Sequence, residues 1–167
     1  MSGSWRQELP EALQVFVEEV LRWNRQINLI SRQDSENLLR ALMEQCRGGV
    51  AALGPYLHAV VGTQAGAGVA AGSASHQGKP PLHYFDLGSG GGLPGFIWHH
   101  DLNGQGWKPA SCLVEPREKR AWFLRQVVSR LSLEGLEIDQ ARWGEGGVAN
   151  PDSAFSGAVL VSLKALH

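Results

Sequence analysis

The chain of 167 residues is 43% hydrophobic and carries a formal net charge of −1 at pH 7. This length suits one domain with its own hydrophobic core, and the near-neutral balance argues against a polyanion-binding surface over the whole molecule, so any nucleic-acid surface must be local. The two cysteines, Cys46 and Cys112, lack metal-ligand spacing, and we expect buried free thiols in a cytoplasmic protein.

Two amphipathic helices are predicted before any strand. Apolar residues recur at three- and four-residue steps over residues 10–28, which is the period of an α-helix. A second helical pattern begins at Ser35, a suitable N-cap, and fades at Gly48-Gly49. Charged residues interrupt the first twenty positions, so we expect neither a signal peptide nor a membrane-spanning helix. Residues 1–61 are therefore predicted to form a helical segment that packs on the core.

The next segment, residues 62–81, is rich in Gly, Ala and Ser and has few large apolar side chains. Such a composition cannot compensate for the entropy lost on ordering, so we predict a flexible linker. After it, residues 82–167 alternate between strand and helix patterns. The predicted strands are 82–87, 110–114, 136–140 and 157–163, and the predicted helices are 96–100 and 117–131. This alternation predicts an α/β fold, with a parallel sheet and helices on both faces.

The glycine-rich stretch YFDLGSGGGLPGF, residues 84–96, fits two kinds of ligand site. In one register it matches the GxGxxG of dinucleotide sites, through Gly90, Gly92 and Gly95. In the other it matches DxGxGxG, through Asp86, Gly88, Gly90 and Gly92. An acid beside the loop would repel a pyrophosphate but suits the sulfonium and amino groups of S-adenosylmethionine, which the second register therefore favours. Glu115, after the next strand, is the expected partner of the ribose hydroxyls.

Three stretches, YFDLGSGGGLPGF, LVEPREKRAWFLRQV and RWNRQINLIS, resemble the bacterial glucose-inhibited division protein B family. The resemblance spans roughly residues 13–166. It implies a Rossmann-like class I methyltransferase that uses S-adenosylmethionine to methylate N7 of a guanine in 16S ribosomal RNA, with the small ribosomal subunit as partner. Guanine N7 has an in-plane lone pair, so attack on the methyl group needs no prior proton removal, and no catalytic residue is assigned.

The resemblance also implies the residues of a cofactor site and an RNA site. The expected cofactor contacts are Asp86, Gly88, Ser89, Gly90, Gly92, Leu93, Pro94, Glu115, Ala141 and Arg142. The Trp-Asn and Asn-Leu signature after the first helix implies RNA contacts by Asn24, Arg25, Asn28 and Arg32. Basic residues also crowd the helix after Glu115, where the candidates to meet phosphates are Lys119, Arg120 and Arg125. A solvated helix face is the commoner explanation for any one of these three. No metal site is predicted from the histidines.

The chain departs from the family pattern in three places. The second predicted helix has Ala41, Glu44 and Gln45 where a His and an Asp-Ser pair are usual. Lys164 stands near the position of an Arg at the rim of the active site, and it keeps the charge without the planar fork. Family chains also continue into further strands, so the last strand is expected to be an open edge. A shortened, non-catalytic relative that binds cofactor or RNA is therefore the alternative, and a nicotinamide-dependent oxidoreductase is a third hypothesis.

Overall fold

The computed structural model describes residues 4–64, 81–142 and 157–163. Helices occupy the N-terminal part, and their bounds are α1 Ser4–Gln7, α2 Glu11–Trp23 and α3 Ser35–Gln64. Strands and helices then alternate, as β1 Leu82–Leu87, α4 Gly95–Gly104, β2 Ala110–Val114, α5 Glu118–Arg130, β3 Leu136–Asp139 and β4 Ala158–Leu163. The predicted α/β fold with an N-terminal helical extension is confirmed. None of the helices in these ranges is long and apolar enough to span a membrane.

The four strands form a parallel sheet in the order β3-β2-β1-β4. The chain therefore runs outward from β1 through β2 to β3 and returns to the other side of β1, which places the change of direction at β1. In open α/β sheets, ligands bind at the carboxyl ends of the strands beside this switch point. The glycine-rich stretch begins at that end of β1. In the described sheet, β4 pairs with β1 alone and exposes Val159, Val161 and Leu163.

The main hydrophobic core joins the N-terminal helices to the α/β part. Leu13 and Phe16 of α2 are fully buried and belong to one cluster with Leu113 of β2 and Phe123 of α5. The ring of Phe16 stacks on Phe96 of α4, with centroids 4.3 Å apart. Burying a side chain of this kind contributes about 1.5–3 kcal/mol to stability. The packing of α2 against the start of α4 therefore fixes the N-terminal helices close to the glycine-rich stretch.

Two helices were predicted before the first strand, and they correspond to α2 and α3. The predicted C-terminal end of each was wrong. Helix α3 continues beyond Gly48-Gly49 to Gln64, with Pro55 inside it, and so enters the predicted linker 62–81, of which residues 65–80 lie outside the described ranges. Tertiary contacts offset the low helix propensity of glycine: Trp98 Nε1 donates a hydrogen bond to the Cys46 carbonyl at 2.8 Å, and Val50 is buried in a second apolar cluster. Helix α2 ends at Trp23 instead of continuing to residue 28.

A buried histidine ties α4 to β2. The Nδ1 atom of His99 lies 2.8 Å from Ser111 Oγ, and its Nε2 lies 3.0 Å from the Asn103 side-chain nitrogen. Because the side-chain nitrogen of Asn103 can only donate, His99 Nε2 accepts this hydrogen bond. Protonation of Nε2 would therefore break the contact with Asn103. Burial, together with the neighbouring His100, lowers the pKa of His99 to about 4.

Stability should therefore fall as the pH is lowered from about 6.5 to about 4. In this window the unfolded chain binds a proton at His99 and the folded chain does not, so each added proton favours unfolding. The contribution is about 3 kcal/mol at most. Urea unfolding at a series of pH values measures it, with His99→Gln as the comparison. A variant with the same pH slope as the wild type would contradict this role.

Candidate functional site

The glycine loop, defined here as residues 88–95, connects β1 to α4 at the switch point of the sheet. Three of its glycines have positive φ angles, which are 73° at Gly88, 57° at Gly90 and 88° at Gly92. Residues with a Cβ rarely adopt this conformation, which explains glycine at these positions. Gly88 is exposed, and nothing lies within 4 Å of the place where its Cβ would stand. The loop therefore has one bare, solvent-facing backbone position next to the carboxyl end of β1.

The Asp86 carboxylate holds the loop from beneath. Its Oδ2 accepts a hydrogen bond from the Gly95 N–H at 3.0 Å, and its Oδ1 accepts one from Ser162 Oγ at 2.6 Å. Asp86 is only 1% exposed, and this burial raises the pKa of its carboxyl group, although the two hydrogen bonds act in the opposite direction. The structure thus gives this predicted cofactor residue a positioning contact at the first residue of α4.

Glu115 binds the same loop from the next strand. Its Oε2 accepts a hydrogen bond from the Gly90 N–H at 2.8 Å, and its Oε1 accepts one from the Arg117 N–H at 2.9 Å. Each carboxylate oxygen retains a further acceptor position. The structure therefore brings Glu115 to the loop, as expected of a residue that shares a site with Gly90. Contact with ribose hydroxyls stays a prediction.

The other predicted cofactor residues occupy two places. Ser89, Gly92, Leu93 and Pro94 are buried, and Leu93 belongs to the main core. A Cβ on Gly92 would lie 3.0 Å from Leu124 Cδ2, so this part of the loop faces α5. Ala141 is half-buried and Arg142 is exposed. Both follow β3 at the carboxyl ends of the parallel strands, where the glycine loop follows β1. Lys164, the predicted rim residue, lies outside the described residues.

The turn from Asn24 to Ile30, called here the N-terminal turn, rests on the glycine loop. Asn24 is buried, and its Oδ1 accepts hydrogen bonds from the N–H groups of Leu29 and Ile30 at 2.9 and 3.0 Å. A Cβ on Gly91 would stand 3.4 Å from Leu29 Cβ. The side-chain oxygen of Asn24 thus organises this turn, and contact of Asn24 with RNA stays a prediction. Leu29 of this turn therefore covers Gly91 of the glycine loop.

Arg120 connects the N-terminal turn to the glycine loop. Its Nη2 donates a hydrogen bond to the Asn28 carbonyl at 2.7 Å, and its Nη1 lies 3.7 Å from the Cβ position of Gly90. Burial, with the charge of Arg117 nearby, lowers the pKa of its guanidinium group. Arg120 is thus bound to backbone between the two segments, and its contact with RNA phosphates stays a prediction.

The basic residues that sequence analysis assigned to RNA lie in two places. The first surrounds two neighbouring cavities of about 680 and 580 Å³ that share Arg32. Arg25 lines the larger cavity, and Asn28, Arg117 and Arg120 line the smaller. The second group, Lys119 and Arg125, lines a separate groove beside Trp122.

Sequence reasoning did not assign the contributions of Arg6 and Arg22 to the larger cavity, because only the packing of α1 and α2 places them beside Arg25. The altered residues Ala41, Glu44 and Gln45 are exposed on α3, where Glu44 pairs with Arg40 at 2.9 Å. In the described ranges, no group of three or more His, Cys, Asp or Glu side chains could hold a metal ion.

Comparison with known proteins identifies one family. Residues 68–164 match the family model GidB, described as rRNA small subunit methyltransferase G. A protein named Ribosomal RNA small subunit methyltransferase G from Nitratidesulfovibrio vulgaris (strain DP4) is 30% identical over 132 residues, which cover 79% of this chain and 50% of that protein. Its namesake from Desulfotalea psychrophila is 33% identical over 131 residues, covering 77% and 46% of the two chains. The chain thus spans about half the length of these curated relatives.

Gly95→Ala should destabilise the protein by about 1–3 kcal/mol, the usual cost of overpacking. The new Cβ would stand 2.6 Å from Asp86 Oδ2 and 2.8 Å from Leu113 Cγ, both of which are buried. Urea unfolding measures the loss. Gly104→Ala, at the other end of α4, is the matched control because nothing lies within 4 Å of its Cβ position. Equal stability of the two variants would contradict the close approach of Asp86 to α4.

Arg120→Ala should loosen the N-terminal turn from the glycine loop, because it removes the donor to the Asn28 carbonyl. We expect faster amide hydrogen exchange at residues 88–92 and 28–30. Arg125→Ala is the control, since Arg125 lies on the same helix, is exposed and donates to Gln140 instead. Unchanged exchange in both segments would show that Arg120 does not hold them together.

Proposed function

Because this chain belongs to the rRNA small subunit methyltransferase G family, we propose that it binds S-adenosylmethionine at the glycine loop and methylates N7 of a guanine in 16S ribosomal RNA. The proposal assigns the small ribosomal subunit as partner and the cytoplasm as the compartment. It also treats the N-terminal helices and the α/β core as one domain, since α2, α4 and α5 share one apolar cluster.

The observation that carries the proposal is the hydrogen bond from the Gly95 N–H to Asp86. A dinucleotide site uses the free N–H groups at the start of its helix to bind a pyrophosphate. Here the first N–H of α4 is already bound to a buried carboxylate, at 3.0 Å. A second carboxylate, Glu115, binds the Gly90 N–H of the same loop. Two acids at this position disfavour a pyrophosphate and suit a ligand that carries positive charge.

The residues that would hold the cofactor fit a nucleoside with a cationic sulfur. Gly88 offers open space beside the backbone, and Glu115 has acceptor positions for ribose hydroxyls. Ala141 and Arg142, after β3, are proposed to lie by the adenine. When bound, S-adenosylmethionine supplies an electrophilic methyl group. The buried part of the loop, from Ser89 to Pro94, contributes by fixing the backbone against the core.

The protein's contribution to methyl transfer is proposed to be orientation. Guanine N7 attacks with a lone pair that carries no proton, so a correctly aligned guanine does not require a general base. N7 lies in the deep groove of an A-form helix, where side chains reach poorly, and the target guanine should therefore be unpaired or exposed. The cavities around Arg25, Arg32 and Arg117 are the proposed sites for the flanking phosphates.

Calorimetric titration with S-adenosylhomocysteine tests the cofactor site. Gly88→Asn should lower the affinity at least about tenfold, because Asn tolerates a positive φ and its side chain would occupy the open space at Gly88. Gly106→Asn is the matched control, since Gly106 has a φ of 80°, is equally open and follows α4 at a distance from the loop. A nicotinamide dinucleotide is titrated in parallel.

Transfer is then measured with a labelled methyl donor on small ribosomal subunits that lack the modification, and the modified atom is mapped. Cofactor binding without transfer would favour the shortened, non-catalytic alternative. Binding of the nicotinamide dinucleotide alone would overturn the assignment of the loop. Equal loss of affinity in Gly88→Asn and Gly106→Asn would indicate backbone strain instead of a filled site.

A further inference from the structure

An exposed indole on α5 lies in a groove that the cofactor site does not use. Trp122 is 40% exposed although it is a large aromatic side chain. The groove beside it has a volume of about 290 Å³, and its lining residues are Ile27, Glu118, Lys119, Trp122, Arg125 and Gln140. It therefore joins the N-terminal turn, one face of α5 and the carboxyl end of β3.

The edge contact with Trp23 fixes the Trp122 ring. The two indoles meet edge to face, with centroids 4.8 Å apart and planes at 77°. Trp23 is itself anchored, because its Nε1 donates a hydrogen bond to the buried Glu19 carboxylate at 3.0 Å. A ring that is held in this way loses little rotational freedom when a second flat group is laid on its open surface.

Positive charge flanks the ring on the same helix. Lys119 and Arg125 lie three residues before and three residues after Trp122, and side chains at this spacing share one face of a helix. Both are exposed, and Arg125 donates to Gln140 Oε1 at 3.2 Å. Glu118 is the acid of the groove. The two cations therefore outweigh it beside an aromatic surface.

The groove is adjacent to the basic cavities. Ile27 lines it, and the next residue, Asn28, lines the smaller cavity together with Arg117 and Arg120. Arg120 also approaches Gly90 of the glycine loop. Consecutive residues, Ile27 with Asn28 and Arg117 with Glu118, therefore line the groove and the smaller cavity side by side.

We propose that Trp122 stacks an unpaired base of the RNA substrate while Lys119 and Arg125 bind the flanking phosphates. The inference rests on the proposed function, which supplies RNA as the substrate class. Stacking on an aromatic side chain requires a free base face, which a single strand offers and a duplex conceals. The combination of an aromatic surface with adjacent cations is the arrangement by which proteins bind single strands without reading their sequence.

The test compares two RNA probes on the wild type and three variants. Fluorescence anisotropy measures the affinity for a short labelled single-stranded RNA and for the same strand in which abasic nucleotides replace the bases. Trp122→Leu keeps apolar packing against Trp23 but removes the aromatic face, and Trp122→Phe keeps a smaller aromatic face. Tyr56→Ala, which removes an aromatic residue that is 71% exposed on α3, is the control.

Trp122→Leu should weaken binding of the complete RNA by about 5- to 150-fold, the range expected for one stacked base. Its affinity for the abasic strand should match that of the wild type, since the phosphate contacts remain. Trp122→Phe should retain most of the affinity, and Tyr56→Ala should retain all of it.

Three results would overturn the stacking site. Equal binding of complete RNA by Trp122→Leu and the wild type would show that the ring is not used. If Trp122→Leu bound free RNA normally but bound small ribosomal subunits more weakly than the wild type, the groove would be assigned to a ribosomal protein instead. Failure of the wild type to bind either RNA would remove both this site and the proposed substrate. Base-dependent binding at Trp122 without methyl transfer would leave the stacking site standing and count against the proposed activity alone.

Discussion

The backbone hydrogen bond from Gly95 to the buried Asp86 carboxylate is the contact on which the glycine loop depends. Asp86 is the last residue but one of β1 and Gly95 begins α4, so the Asp86 side chain connects the two ends of the loop. A buried carboxylate is tolerated only when hydrogen bonds replace its hydration, and here a backbone N–H and the Ser162 hydroxyl do so. Because Ser162 lies on β4, the same group also ties the loop to the neighbouring strand across the switch point.

The loop is supported from two further directions. Glu115 binds the Gly90 N–H from the end of β2, and Leu29 of the N-terminal turn covers Gly91. These contacts leave Gly88 as the exposed position of the loop and bury the positions that follow it. The glycines of the loop are needed for different reasons. Gly88 has a positive φ and open space beside it, whereas Gly95 has no room for a Cβ next to Asp86 and Leu113.

The N-terminal helices supply part of the candidate site as well as part of the core. Phe16 of α2 stacks on Phe96, and Arg120 of α5 reaches the carbonyl of Asn28. The smaller cavity and the glycine loop are consequently linked by Arg120, which lines that cavity and approaches Gly90. A molecule that contacts the N-terminal turn at Asn28 would therefore lie within one side chain of the glycine loop.

The sequence alone determined the strand, glycine loop and helix order, because apolar periodicity and glycine spacing are local properties of the chain. It also placed Glu115 beside the loop, since parallel strands end at a common edge.

Only the tertiary structure decided what individual polar groups do. Packing gives Asn24 a contact that organises the N-terminal turn and binds Arg120 to backbone, while their contacts with RNA stay predictions. Likewise α3 passes through Gly48-Gly49 because Trp98 and the second core hold it, and Trp122 is fixed by Trp23 from a distant helix. Such contacts join residues far apart in the chain, which local patterns do not encode.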